Sequence, residues 1–396
     1  MVVGAGPDQL RAIRLAQEMG VRVAAIDRNP SAVGARVAEE FAAVSTDDKQ
    51  GALAFARDAR PDGIMTLVSE TGVPVVSFVG EALRLPVPSQ STARLATNKT
   101  EMRRAFDRHG VPAVPWSAAT AMSDVSRFVR QHGLPVVIKP SESSGQSGVA
   151  LICGEHQLEA ALARALQTST DSRAIVEKFA AGPEINVCAV VHRGDVEILS
   201  VSHRKTLAPP HFGIAFQHVY PFACGRPEEM ALRQAARAAI EAIGLEEGIA
   251  YPQLVLREDG PVVIEIAARI PGGYMCELAQ LASGIDMVGV AIRQALGEPF
   301  ELDALRAGER AAAAIVDFYT SLSVPSGTQV LRGLQGIEQA ARMPGVARIE
   351  FLIGPGDPVP PLTSSRGRFG AVIVTGETLA QAAERLRAVN KAVRVH

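Results

Sequence analysis

The run Leu134-Pro-Val-Val-Ile-Lys139-Pro limits what this chain can become more than any other. Its apolar, β-branched residues read as a buried strand, yet they deliver a lysine at the strand's end. A buried ammonium needs an anionic partner. Immediately afterwards Ser141-Glu142-Ser143-Ser144-Gly145-Gln146-Ser147-Gly148 joins it to a second strand, Val149 to Cys153. Such a loop can lay backbone N–H groups over phosphate oxygens while Lys139 neutralises their charge. An ordinary flexible hairpin with a surface lysine is the plainer alternative.

The chain has 396 residues, 47% of them hydrophobic, which is more than single cores usually accommodate, so two or three domains are expected. Met1 to Val3, a glycine turn at Gly4 to Gln9, a helix through Leu10 and Met19 and a strand from Val21 to Ile26 read as a βαβ unit. Alternation continues with helix 52–60, strand 63–68 and helix 72–83, predicting a parallel sheet that ends near Asn98. A helix from Lys99 to His109 and the doubly proline-bearing Val111 to Pro115 open a second region. There the patterns predict helices at 123–132, 157–167 and 227–244, and strands at 135–139, 149–153, 174–178 and 184–192. Residues 203–217 read as an irregular polar stretch, and two strands flank the turn Glu258-Asp259-Gly260. Beyond Pro299 strands near 312–318, 346–353 and 370–375 and a helix at 379–389 suggest a third, smaller α+β segment.

Lys plus Arg number 40 and Asp plus Glu 42, a formal net charge of −2, which provides no long-range attraction for nucleic acid or an anionic membrane. Small-molecule partners are expected. Cys153, Cys188, Cys224 and Cys276 show no zinc-ligand spacing and read as buried, reduced thiols. No apolar stretch approaches bilayer length and no signal-peptide pattern opens the chain, so a cytoplasmic protein is expected. Oligomeric state is open, a homodimer included.

Gly4-Ala-Gly6 with Asp27 at the end of the second strand suggests a dinucleotide turn, but Gln9 stands where a third glycine belongs, and a structural turn is favoured. Ala174-Ile-Val-Glu177-Lys178-Phe179 is an apolar strand ending in a carboxylate, and Glu184 opens the next; their free backbone groups and carboxylates suit an adenine edge and ribose hydroxyls. Further on, Gly248 to Leu256 and Pro261 to Tyr274 form a hairpin presenting Glu265, Ala267 and Arg269 on one face, a carboxylate and an arginine suited to magnesium and phosphoryl oxygens or, more blandly, to an ion pair. Ser69 and Glu70 suit a helix N-terminus.

Taken in order, Asn98-Lys99, the Lys139 strand and its loop, Glu177-Lys178-Phe179, Glu184, and Glu265 to Arg269 with Gly272-Gly273 resemble the ATP-grasp superfamily over essentially the whole chain. The likeness is closest to carboxylate–amine ligases, L-amino-acid ligases among them, and to related purine-pathway enzymes; Ser364 to Gly370 and Gly376-Glu377-Thr378 add to it. The resemblance implies an α/β and α+β multidomain chain. It would have a Rossmann-like pre-ATP-grasp domain at 1–98, an ATP-grasp domain at 99–300 whose mobile part is about 113–190, and a small C-terminal lobe at 301–396. It further implies that Lys99, Lys139 and the 143–148 loop hold ATP phosphates, Glu177 to Phe179 hold adenine and Glu184 holds ribose. Glu265 and Gln253 would bind magnesium or manganese, and Arg269 would steady an acyl phosphate; in the expected mechanism Arg269 and the Gly272-Gly273 backbone then stabilise the tetrahedral oxyanion.

Two positions depart from the family pattern: Gln253 replaces an acid and Ala267 an asparagine, which should weaken the second metal site. His203-Arg204-Lys205, with His211 and His218, falls where such ligases place acceptor-site residues, and Arg204 can hold a substrate carboxylate; a solvated basic loop is the alternative. Glu70 resembles a family position near the active-site mouth, where an acid receives a substrate amino group, with helix capping the favoured reading. The longer glycine-rich lid of biotin carboxylases is missing, so biotin chemistry is not favoured. The expected activity is ATP-dependent joining of a carboxylate to an amine. Alternatives are a purine-pathway-like enzyme using a small carboxylate, a non-catalytic ATP-binding protein, or a nicotinamide dehydrogenase built on the Gly4 turn.

Overall fold

The computed structural model describes residues 1–143, 145–308 and 310–396; among them no single helix is long and apolar enough to cross a membrane. The first strands are short and pair in parallel, in the order Glu40–Ala42, Ala24–Ile26, Val2–Val3 and Met65–Thr66. At the glycine turn between the first strand and the helix Pro7–Glu18, Gly4 takes a φ of +99°, and a Cβ there would meet Gln9 at 3.0 Å. Gln9 accepts from the Gly6 N–H at 3.1 Å and donates to the Leu67 carbonyl at 2.6 Å. Asp27 accepts from the Ala5 N–H at 2.9 Å. The space and donors that a pyrophosphate would use are taken by the chain's own side chains, so this turn is structural.

Two antiparallel sheets follow. Trp116–Ala119, Ala174–Lys178, Val136–Pro140 and Ala150–Ile152 make the smaller. The helices Met122–His132 and Leu158–Thr168 cover it with apolar stripes at helical spacing, Val125, Phe128 and Val129 on one and Leu158, Ala161, Leu162 and Ala165 on the other. The larger sheet runs Gly260–Ala267, Gly248–Arg257, Glu184–His192, Asp195–Thr206, Ala215–Tyr220, Ala313–Tyr319, Gly370–Gly376, Val346–Phe351. Its last three strands come from beyond residue 300, so the C-terminal segment extends this sheet, with the helix Leu379–Ala392 packed upon it.

Two expectations are corrected here. Residues 203–217 are not simply irregular: Arg204 pairs with His218 and Lys205 with Gln217 across adjacent strands. Arg204 and, just beyond the stretch, His218 line a cavity, and Lys205 donates to Gln217 across the strands, so hydrophobic alternation does not mark them. Cys188 and Cys276 are buried free thiols, but Cys153 is exposed and Cys224 half-buried, Cys153 lying just past the end of the strand Ala150–Ile152.

The helix Lys99–His109 begins at Asn98, whose side chain accepts from the Glu101 N–H at 3.0 Å, and ends at Gly110 in the left-handed region. It carries Arg103, only 1% exposed. Its guanidinium donates to Glu177 at 2.7 Å and to the carbonyls of Val263 and Ile264 at 2.6 and 2.8 Å. Glu177 lies on the smaller sheet and the two carbonyls on the edge strand of the larger, so a single side chain ties the sheets together. Burial alone would raise the Glu177 carboxyl, but Arg103 and Lys139 outweigh it and lower the group to about 2.

Removing Arg103 leaves a buried carboxylate and two carbonyls short of a partner. Arg103→Met is expected to lose about 3–5 kcal/mol in urea unfolding, and a loss below about 1 kcal/mol would contradict the tie. Because Glu177 is depressed in the folded state, its contribution is present above its ordinary value of 4.5 and disappears as pH falls from there through about 2. Acid titration of stability should therefore be flatter over that window in Glu177→Gln than in the wild-type chain.

Candidate active site

Between the two sheets and the N-terminal domain lies a cavity of about 1240 Å³. Lys99 and Lys139 enter at one end. Lys139 is 7% exposed and sits 2.7 Å from Glu177. Burial pushes its pKa down against the pull of Glu177. Lys99 lies 3.4 Å from Glu265 and donates to the Ser143 carbonyl at 3.1 Å. Asn98, which caps this helix, also donates to Glu142 and Asp171 at 2.9 and 3.3 Å, linking Lys99 to the root of the loop. Glu265 is half-buried on the cavity wall; desolvation there would raise its carboxyl, but Lys99 and Lys139 overcome that and hold it below the usual range. Three cations thus share two carboxylates, leaving one positive charge for a ligand to neutralise.

Several expected residues take more particular places. The Glu177 carboxylate is committed to Arg103 and Lys139, so it does not reach for adenine. Lys178 donates to the carbonyls of Gly133 and Leu134 at 3.2 and 3.0 Å. Phe179 meets Phe212 edge-on at 6.1 Å, and Val114, Val137, Val255 and Ile264 line the cavity with them, an apolar slot that suits a purine. Of the loop, Ser143, Gly145 and Gln146 line the cavity. Gly148 instead packs against Pro140 and Thr168, and Ser147 is off the cavity wall; Ser144 lies outside the described residues.

Gln253 and Glu265 are direct cross-strand partners, both on the cavity wall. Among the described residues, no group of three or more His, Cys, Asp or Glu could hold a metal alone. One carboxylate and one neutral oxygen fit magnesium or manganese as ions that keep waters and take further oxygens from phosphates. Ala267 is buried and offers no ligand atom from its side chain.

The other end of the cavity is built from arginines. Glu265 and Arg269 do not pair with each other: Arg269 donates to Glu70, at 3.0 Å from Nε and again from Nη2. Glu70 therefore does not cap the following helix, where the Ser69 hydroxyl accepts from the Gly72 N–H at 3.1 Å. The second Glu70 oxygen is buried without a partner. Arg204 is not on a solvated loop; it is buried against Glu184, whose other oxygen accepts from Thr206 at 3.1 Å. Arg204 and Glu184 thus occupy each other where the resemblance implies ribose and carboxylate contacts. Val68, Gln146 and Tyr274 hold left-handed backbone, at φ 59°, 68° and 59°, and all three border the cavity, as strained residues at functional sites often do.

Sequence reasoning missed Arg103, Asp8 and Arg368. Arg368 lies 4.2 Å from the centre of the Phe318 ring, with burial drawing its pKa down to about 10. Its neighbour His218 is buried, accepts at Nδ1 from Asn186 at 3.1 Å, and is pushed well below its ordinary pKa by burial and then by Arg368 and Arg204; it is neutral. Arg368 stands inside the motif at 364–370, but nothing in the linear pattern tells a cavity-facing arginine from its neighbour Arg366. Asp8 lines the cavity mouth, where partial desolvation raises its carboxyl against Arg368 and Arg269.

Comparison with known proteins adds an independent line. The family model for L-amino acid ligase C-terminal domain 2 matches residues 322–396, and that for the carbamoyl-phosphate synthase L chain ATP binding domain matches residues 98–303. An uncharacterized protein of Sinorhizobium fredii is 26% identical over 322 residues, 80% of this chain but only 65% of the relative's length. The formate-dependent phosphoribosylglycinamide formyltransferase of Burkholderia cenocepacia is 25% identical, covering 100% of this chain and 94% of that protein. The crystal structure of L-amino acid ligase from Bacillus licheniformis shares the fold at a TM-score of 0.84 and 20% identity, covering 100% of this chain and 97% of that one. With its lysine-bearing sheet, its cross-strand Gln253–Glu265 pair and a family match across more than half its length, the chain belongs to the ATP-grasp family represented by the carbamoyl-phosphate synthase L chain ATP binding domain.

Proposed function

We propose that the protein joins a small-molecule carboxylate to an amine, activating the carboxylate with ATP and releasing ADP and phosphate. The observation that carries this reading is one continuous cavity with a surplus-positive lysine end and an arginine end. Its volume of about 1240 Å³ exceeds the roughly 300–1,000 Å³ of a site for one drug-sized ligand, leaving room for a nucleotide and a second substrate.

Adenine occupies the slot by Phe179, and the triphosphate runs toward Lys99 and Lys139, which supply charge neutralisation without reorganising. Arg103 and Glu177 hold Lys139 in place. Magnesium bound at Glu265 and Gln253 would add to that neutralisation. At the far end Arg269 receives the substrate carboxylate, whose oxygen attacks the γ-phosphorus and expels ADP. The amine then attacks the acyl carbon, with Arg269 and the Gly272-Gly273 backbone stabilising the oxyanion, and phosphate leaves. A second reading, activation of a very small carboxylate, is favoured by the full-length similarity to a formate-dependent enzyme. Coupled ADP release over a matrix of carboxylic acids, formate included, and amines, with product masses, separates the two. Nucleotide binding with no acid-dependent ADP release in any combination would leave only an ATP-binding protein.

Lys139→Met keeps the side-chain volume and leaves Glu177 paired with Arg103, so the chain should fold while kcat/KM for ATP falls about a hundredfold; near-normal ATP kinetics in the folded variant would refute the phosphate role. For the metal, Glu265→Gln should abolish turnover, and Gln253→Glu should lower the magnesium concentration needed for half-maximal activity by adding a charged ligand. Activity measured against magnesium in the three proteins decides this. An unchanged requirement in Gln253→Glu would show that residue 253 does not serve the ion.

A further inference from the structure

The tip of the phosphate loop rests on a part of the chain far removed in sequence. The Gly145 carbonyl accepts from the Ser365 backbone N–H at 3.3 Å and lies 3.4 Å from the Ser365 hydroxyl, which also donates to it. Gly145 has a φ of +64°, and a Cβ there would stand 3.0 Å from the Ser365 Oγ, so the contact is shaped for glycine. Gln146 lies against a second turn, its Nε2 being 3.3 Å from where a Cβ on Gly213 would stand. Both turns are braced from the arginine end of the cavity: Arg368 donates to the Ser365 carbonyl at 3.0 Å and Arg204 to the Gly213 carbonyl at 2.9 Å.

We propose that Ser365 and the Gly213 turn form the seat on which the phosphate loop closes, making Ser365 a positioning residue contributed by the C-terminal segment. This rests on the ATP-dependent reading above. The loop then shuts only against an ordered acceptor end, because the carbonyls behind both contacts are held by Arg368 and Arg204. An unseated loop admits water, which attacks the acyl carbon in place of the amine and expels phosphate; the carboxylate is regenerated, and ADP and phosphate are released without an amide.

Ser365 is the first residue of the single helical turn Ser365–Gly367, and Ser364 before it is extended at φ −159°, ψ −178°. Proline is at home in that first position after an extended residue, so Ser365→Pro deletes both donors with the backbone intact. The variant is expected to raise KM for ATP about tenfold with a smaller change in kcat. It should release more ADP than amide, and its Gly145 to Val149 amides should lose the slowing of exchange that ATP brings in the wild type. Ser365→Thr keeps both donors and should restore wild-type coupling. In the unaltered protein, exchange of the Ser365 amide itself should slow when ATP is added, which tests the seat even if the proline variant fails to fold. Wild-type KM and coupling in folded Ser365→Pro, or a Ser365 amide indifferent to bound ATP, would overturn the proposal. Failure of the wild-type chain to bind ATP would instead overturn the reading on which it rests.

Discussion

The fold turns on a buried cluster of unlike charges. Arg103, Lys139 and Lys99 come from a helix, a strand and that helix's first turn, and they meet Glu177 and Glu265 from two different sheets. Four of these charges are buried and Glu265 is half-buried beside them; taking charges out of water is costly unless each finds partners, and here the carbonyls of Val263, Ile264 and Ser143 complete the set. The same cluster that fastens the sheets together is left with one unmatched positive charge at the cavity wall. Structure and the charge of the cavity are thereby coupled: the residues that hold the halves in register are those that, on the proposed function, would present charge to a triphosphate.

At the opposite end the charges are matched internally. Arg269 lies on Glu70 and Arg204 on Glu184, so under the proposed function a substrate carboxylate would have to compete with an existing partner rather than fill an empty guanidinium. Such pairs keep arginines oriented in the absence of substrate, and the exchange of one carboxylate for another changes little charge. Arg368 differs, since its contacts are the Ser365 carbonyl and the Phe318 ring. The two ends thus carry charge in different ways, in surplus at the lysine end and in matched pairs at the arginine end.

How far the sequence discloses this depends on whether a residue's partner is near in the chain or its setting is apolar. The strand Val136–Pro140 and the helix Gly72–Leu83 are legible because their side chains are buried with the periods of strand and helix. Lys139 and Glu265 are legible because each interrupts such a run. Arg103 is not, since Lys99-Thr-Glu-Met-Arg103-Arg-Ala-Phe106 reads as a surface helix with basic residues. A signal does exist, as Lys99, Arg103 and Phe106 fall on one helical face and all are buried. The Arg269–Glu70 pair joins residues 199 apart, a distance over which no periodicity speaks. Strands across residues 203–220 are hidden because one face borders the cavity and carries polar groups.

The most direct measurement follows the carboxylate oxygen. With a substrate acid labelled with heavy oxygen, activation as an acyl phosphate transfers one labelled oxygen to the phosphate released with each amide formed, which mass measurement of the phosphate would detect. Unlabelled phosphate accompanying labelled amide would contradict the central claim, because the carboxylate would then have reacted without passing through the phosphorus.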